Sequence, residues 1–287
     1  MAQAERVFTI EHCSTYNYTA ERTSCVMSLC LMPLSNSKQR VEAFELIIDP
    51  LTQPIPFEDF LGNACHLINI HQPHTEVSIR SKSLVCLKDN PNKDSVHSQL
   101  QNPTYELGGY ADYWDYEQPT ARTAWSEKVE AFLEEQCLSQ DDDTYGSLYR
   151  LEQGIYDALR YTPQSTTVDT MIDEVLEQRA GVCQDFAHLM IAVARHWNIP
   201  ARYVMGYLCS DAQPVANAQA THAWVECLIQ DRGWVCFDPT NPTLRDSGYI
   251  TVAHGRDFED VCPTKGVNIG SGDEELQVEV TVLNLSS

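Results

Sequence analysis

The stretch Arg179-Ala-Gly-Val-Cys-Gln-Asp-Phe-Ala-His-Leu-Met190 constrains this chain most, because a glycine turn opens there directly onto a long apolar helix. From Val182 onward Phe186, Leu189, Met190, Val193 and Trp197 recur at helical spacing, so one face packs inward and the core holds the helix start. That start carries Cys183. Helix starts leave N–H groups unpaired and present the positive end of the helix dipole, which favours thiolate over thiol. Cys183 is therefore the candidate nucleophile. Residue type alone argues for the plainer role of a core thiol, since cysteine is among the most buried residues.

Around this helix the second half of the chain reads as α+β. Trp125 to Cys137 and Ser147 to Arg160 carry apolar residues three and four apart and are expected to be amphipathic helices, with a shorter helix from Asp169 to Arg179. Asp141-Asp-Asp143 between them is expected to be a solvated loop or cap, because it lacks the alternating ligands and glycine of a calcium loop. Asn198-Ile-Pro200 stops the cysteine helix, and Ala201 to Leu208, His222 to Ile229 and Trp234 to Asp238 follow with strand propensity. Gln230-Asp-Arg-Gly233 has hairpin chemistry, and Leu276, Val278, Val280 and Val282 alternate with polar residues as in a half-buried last strand.

The first half differs. Val7 to His12, Cys25 to Leu31, Val41 to Asp49, Cys65 to His71, Val77 to Ile79 and Leu84 to Leu87 are short, β-branched or alternating, and separated by turn residues. Such spacing predicts an antiparallel β-sandwich. Periodicity fades from Ser95 to Gln118, which divides the chain into an N-terminal β domain, 1–115, and a core with a C-terminal strand, 116–287.

Charge and cysteine usage narrow the partners. Lys+Arg 19 against Asp+Glu 41 gives a formal charge of -22, which repels nucleic acid and anionic membrane surfaces. Eleven cysteines, an odd number without a Cys-x-x-Cys pair, fit neither a disulfide framework nor a zinc ribbon, and His71-x-x-His74 stands without a cysteine pair nearby. No metal or cofactor is expected. The first residues lack a basic start followed by an apolar run, and no stretch is long and apolar enough to span a bilayer, so a soluble, cytoplasmic protein with reduced thiols is expected.

A thiol nucleophile needs a base, and the base works better when a third polar group orients its ring. His188 lies about 140° round the helix from Cys183, and His196 stands at the helix's far end, so both are expected to be structural or exposed. His222 opens one strand and Asp238 closes the next, at the open end of the presumed hairpin. Their pairing is conditional on register. A two-residue turn at Asp231-Arg232 sets Asp238 against Val225, on the side opposite His222, whereas a loop of about five residues, Leu228 to Arg232, sets it across from His222. The longer or bulged loop is expected. Trp224 shares the face of His222, and with Tyr207 is a candidate for lining the cleft.

Four segments in this order, Gly181-Val-Cys183-Gln-Asp-Phe-Ala, Ile199-Pro-Ala-Arg-Tyr-Val-x-Gly-Tyr207, Thr221-His222-Ala-Trp-Val-Glu226 and Gly233-Trp-Val-x-Phe-Asp238-Pro-Thr-Asn241, resemble the bacterial transglutaminase-like proteins, often described as cysteine proteases. The tail Ala253-His-Gly-Arg-Asp-Phe-x-Asp260 and the Gly266-Val pair fit the same branch. The first domain is similar to that family's N-terminal β region through Tyr16-x-Tyr18, Met32-Pro33 and Asp59-Phe-x-Gly-Asn63, although Leu34 stands where a basic residue is usual. The resemblance spans nearly the whole chain. It implies a papain-like core, with the family's cysteine, histidine and aspartate falling on Cys183, His222 and Asp238.

The expected chemistry is acyl transfer from an amide of a peptide or protein. Cys183 attacks, His222 protonates the leaving amine, Asp238 holds the imidazole, and the Cys183 backbone N–H meets the oxyanion, with Gln184 as a candidate second donor. Water or an amine then resolves the thioester. Hydrolysis of a peptide or isopeptide bond is favoured, since calcium-dependent transglutaminases add metal sites and β domains for which 287 residues leave no obvious room. Amine acylation, and a module that binds peptides without catalysis, are the alternatives. The β domain is a possible platform for substrate or for a homodimer.

Overall fold

One strand carries the first domain. In a computed structural model, which describes residues 5–88, 113–209, 215–218, 221–230, 232–242 and 248–285, strand β1 (Glu5–Leu29) runs for 25 residues. Phe8, Ile10, His12, Ser14, Tyr16 and Tyr18 point inward along its first half, and Cys25, Met27 and Leu29 along its second. The parity changes where the pairing slips, between Asn17 and Arg22 and between Arg22 and Ser24. A bulge of this kind bends a strand and re-aims its side chains. Its first half therefore pairs with one set of strands and its second half with another.

Those strands are β2 (Gln39–Asp49), β3 (Ile55–Glu58), β4 (Ala64–Ile70) and β5 (His74–Lys88), and all pairings are antiparallel. The sandwich expected from the sequence is one sheet curled on itself, closed over Tyr16, Tyr18, Met27, Leu29, Ile48, Ile68, Ile70, Val77 and Ile79. The segments Val7 to His12 and Cys25 to Leu31 are the two ends of β1, and the last two expected strands are both parts of β5. Most of the expected boundary, Ser95 to Gln118, lies outside the described residues.

After it come helices α1 (Trp114–Glu117), α2 (Glu127–Glu135) and α3 (Thr144–Ala158), the two-residue strand β6 (Arg160–Tyr161), α4 (Ile172–Gln178), the matching β7 (Ala180–Gly181) and α5 (Cys183–His196). Then follow β8 (Ala201–Leu208), β9 (Val215–Ala218), β10 (His222–Ile229), β11 (Gly233–Phe237), β12 (Tyr249–Gly255), α6 (Phe258–Val261), β13 (Thr264–Gly270) and β14 (Glu274–Asn284). The order β11-β10-β8-β12 makes a four-stranded antiparallel sheet. Helix α5 is buried from Gln184 to Arg195, as a helix apolar nearly all round must be, and packs on β8 and β10 with α3 beside it.

Polar side chains weld the two parts together. Strand β12 is a sheet edge, and its outward backbone groups are met by two amides of the first domain. Gln39 accepts from Thr251 N and donates to Thr251 O, both at 2.8 Å. Asn63 does the same at His254, again at 2.8 Å on both bonds. Each side chain mimics a neighbouring strand and so satisfies buried edge groups. Asn63 is itself held by Asp59, so the Asp59-Phe-x-Gly-Asn63 motif is the dock for the His254-Gly-Arg motif. The C-terminal β13 and β14 return to pair with β1. Val280 and Val282 of β14 are buried as expected, whereas Leu276, nearer the bend, is 46% exposed.

Buried Arg195, near the C-terminus of α5, is the other hub. Its guanidinium donates to the carbonyls of Tyr116, Gln118, Ala201 and Arg256 and to Thr123 Oγ1, at 2.7 to 3.2 Å. Burial pulls its pKa down to about 10. His188 and His196 have structural or exposed places, as expected: His188 is buried and accepts from Phe258 N at 3.2 Å, while His196 stacks on Trp125 with centroids 3.5 Å apart.

Candidate active site

Cys183 is positioned by what precedes it. Arg179 ends α4 with φ 51°, and β6 then pins β7: Arg160 N donates to Arg179 O and Thr162 N to Gly181 O, each at 2.9 Å. The buried Asp185 caps the new helix, one oxygen accepting from Val182 N at 2.7 Å and from Thr166 Oγ1 at 2.6 Å. A Cβ on Gly181 would lie 2.8 Å from that carboxyl oxygen, which is why the turn needs glycine. Burial raises the Asp185 pKa, against the hydrogen bonds from Thr166 and Val182. Cys183 is thus fixed at the first position of α5, partly exposed.

His222 and Asp238 do meet, through a register that differs from both expected ones. Ile229 pairs with Gly233 and Val225 with Phe237, so three residues, 230–232, connect the strands. Asp231 lies outside the described residues. Ile229 is buried, which keeps it in the strand instead of the loop. Arg232 N closes a turn on Ile229 O at 3.0 Å, and Gly233 takes φ 71°, the left-handed conformation that three-residue hairpins use. Extending this register sets Asp238 level with Trp224 instead of His222. Parity is preserved, and the two side chains share a face: His222 Nε2 lies 2.7 Å from Asp238 Oδ2.

Asp238 is sealed in. Its Oδ2 also accepts from the Tyr249 hydroxyl at 2.8 Å and from Asn241 Nδ2 at 3.1 Å. Its Oδ1 accepts from Thr240 N at 2.9 Å and Asn241 N at 3.1 Å, and its own N–H donates to Glu152 Oε1 at 2.7 Å. Burial opposes its ionisation, but the His222 bond and charge, with Tyr249 and Asn241, hold its pKa below the usual value. Since Nε2 of His222 faces Asp238, Nδ1 is left for the thiol, and a hydrogen bond to Cys183 is among the influences on the imidazole.

For His222, burial lowers the pKa, yet the bonds and charges of Asp238 and Cys183 together raise it to about 10. The sign follows from linkage. The stabilisation due to His222 is complete below its ordinary 6.5 and is lost as pH rises towards 10. That due to Asp238 is complete above its ordinary 3.8 and is lost as pH falls through its lowered value. The pair is therefore firmest between these ordinary values. An NMR titration of the ring should find imidazolium persisting well above pH 7, and Cys183→Ala should move the midpoint down by removing both the hydrogen bond and the charge of Cys183. A His222 midpoint near 6.5 in the native protein would contradict this geometry.

Trp224 lies beside His222, ring centroids 6.1 Å apart and nearly parallel, and packs on Tyr249 at 4.8 Å. It is buried, so it backs the imidazole instead of facing an open cleft. Gly206, paired with His222, makes room for it: a Cβ there would stand 2.1 Å from Ile250 O and 2.6 Å from the Trp224 ring. Gly206→Ala should cost about 1–3 kcal/mol or more by overpacking, read by denaturant melting, and displace His222. Tyr207 corrects the expectation. Its side chain leaves the opposite face of β8, where its hydroxyl lies 3.0 Å from His12 Nδ1 of the first domain, so it joins the domains and does not line the cleft. Gln184 is nearly buried beside Cys183, with Nε2 at 3.5 Å from Val168 O.

Asn241, Tyr249, Glu152 and Tyr161 were not singled out by residue reasoning, although Asn241 stands in the Asp238-Pro-Thr-Asn241 segment. Tyr249 and Glu152 come from β12 and α3, and only tertiary folding brings them to Asp238. Among the described residues no group of three or more His, Cys, Asp or Glu is arranged to hold a metal ion, and no helix is long and apolar enough to cross a membrane.

The chain is similar to known proteins along nearly its whole length. Residues 113–239 match the transglutaminase-like superfamily and residues 8–86 the bacterial transglutaminase-like N-terminal region. An uncharacterized protein of Mycobacterium leprae is 31% identical over 96% of this chain and 98% of its own length. Another, of Mycobacterium tuberculosis, is 32% identical over 96% and 91%. A protein-glutamine gamma-glutamyltransferase of Pseudomonas aeruginosa is 34% identical over 31% of this chain and 14% of its own. A crystal structure from Cytophaga hutchinsonii, provisionally described as a cysteine protease, superposes with a TM-score of 0.77 at 23% identity over 99% of this chain and 92% of that one, and so shares the fold. The chain belongs to the transglutaminase-like superfamily.

Proposed function

We propose that this protein is a cysteine-dependent hydrolase that cleaves peptide or isopeptide amides through a thioester on Cys183. The observation that carries the reading is the run from a helix-start thiol through His222 to a buried Asp238 whose carboxylate takes five hydrogen bonds, one of them with His222. The thiolate of Cys183 attacks the amide carbonyl carbon, and the negative charge gathers on oxygen. The Cys183 N–H, free of an intrahelical partner at the first helical position, donates to that oxyanion, with the Gln184 side-chain amide as second donor. Imidazolium at His222 gives its proton to the departing amine as the C–N bond breaks. Water then loses a proton to His222 and attacks the thioester, releasing acid and thiolate. Asp238 holds the ring and stabilises its charged form throughout.

Amine acylation is the second reading, favoured by the Pseudomonas aeruginosa glutamyltransferase that aligns over part of the chain. Both use the same thioester and differ in what resolves it. A non-catalytic peptide-binding role finds less support, because the cysteine, histidine and aspartate are all present and assembled. Incubating the protein with a peptide mixture, with and without a primary amine, and reading masses decides between them: new shorter peptides support hydrolysis, and an amine adduct supports transfer. Unchanged masses in both arms would contradict catalysis.

A further inference from the structure

Tyr161 stands beside the thiol without a part in the chemistry above. It lies in β6, paired with Gly181, two residues before Cys183. Its ring meets Phe186 edge-on, centroids 6.4 Å apart at 62°, and Phe186 is three residues beyond Cys183, on the same side of α5. Phe186 is fully buried, whereas Tyr161 is 50% exposed. Burial, and then the charges of Cys183 and Asp238, raise the pKa of its phenol. Val168, whose carbonyl lies 3.5 Å from the Gln184 amide, is 48% exposed. A half-exposed aromatic ring and a half-exposed valine thus border the start of the helix that carries the thiol.

The direction of the reaction says which part of a substrate they meet. His222 must protonate the leaving amine, so that amine sits at the imidazole. The acyl part stays bonded to Sγ, and the neighbours of the turn that carries Cys183 are β6, paired with Gly181, and Val168, whose carbonyl faces the Gln184 amide. Resting on the proposed function, we propose that Tyr161 is a specificity-determining residue, its ring forming with Val168 the wall of a subsite for a bulky apolar side chain on the acyl side of the scissile amide. The substrate class is then peptides or protein segments with an aromatic or large aliphatic residue at that position, and not glycine-rich or acidic ones.

Two peptidyl chloromethyl ketones that differ only in a phenylalanine or glycine side chain test this on the full chain. Each forms a C–S bond to Cys183 with loss of chloride, and iodoacetamide provides the size-independent reference rate for every variant. The native protein should prefer the phenylalanine reagent by about fivefold to tenfold after normalisation, as expected for one good aromatic contact. Tyr161→Ala should abolish that preference, Tyr161→Phe should keep it, and Val168→Ala should weaken it. Equal rates for the two reagents, a preference that survives Tyr161→Ala, or one lost as fully in Tyr161→Phe would overturn the assignment. Slow, unselective iodoacetamide labelling of Cys183 would instead bring down the nucleophile reading, and the subsite with it.

Discussion

Changing Asp238 to asparagine should lower turnover of any cleaved peptide by about four orders of magnitude while leaving the fold intact, the magnitude being that known for the orienting aspartate of a serine protease triad. Asparagine keeps the shape, and its carbonyl can still accept from Thr240 N and Asn241 N. The position facing His222 Nε2 then carries either a neutral oxygen or an N–H, and in neither case a charge. The imidazolium, half-buried beside the partly exposed thiol, loses its strongest favourable partner. A variant that melts normally but turns over slowly, with His222 titrating lower than in the native protein, is the expected pattern. A loss of less than tenfold would show that Asp238 does not orient the working base.

Arg195→Met should be the most damaging single change outside the site, destabilising by about 3–5 kcal/mol, because each buried acceptor left without its donor costs about 1–3 kcal/mol. Methionine fills the space but leaves four carbonyls and the Thr123 hydroxyl without their donor. These acceptors belong to α1 and its exit, to β8 and to the turn after β12, so the loss loosens the shell around the far end of α5. Thermal melting should fall by roughly ten degrees. A melting point within two degrees of the native one would show that these bonds do not hold the helix in place. The iodoacetamide rate of the surviving folded fraction reports whether the damage reaches Cys183.

Much of this was legible in the sequence, for identifiable reasons. Helix α5 announces itself because nearly every position is buried and its start is capped locally by Asp185. His222 and Asp238 could be placed at strand ends, and only their register was open. That register turned on one residue, Ile229, whose burial outweighs the loop length that direct opposition would need. The curled sheet was less legible. The middle of β1, Cys13 to Ser24, is rich in Ser, Thr, Asn, Glu and Arg and reads as a break, yet it forms strand because both edges are paired by distant segments. Tyr207 was misplaced because strand propensity does not say which face meets a second domain. Tyr249 and Glu152 illustrate the general limit: contacts made across elements far apart in the chain leave no local pattern.

The most direct measurement of the central claim is the rate at which iodoacetamide alkylates each cysteine near neutral pH, read by peptide mass mapping. Cys183 should react far faster than the other ten, and His222→Ala should slow it selectively because the imidazolium partner is gone. Uniform slow labelling of all eleven, or a Cys183 rate untouched by His222→Ala, would contradict the account.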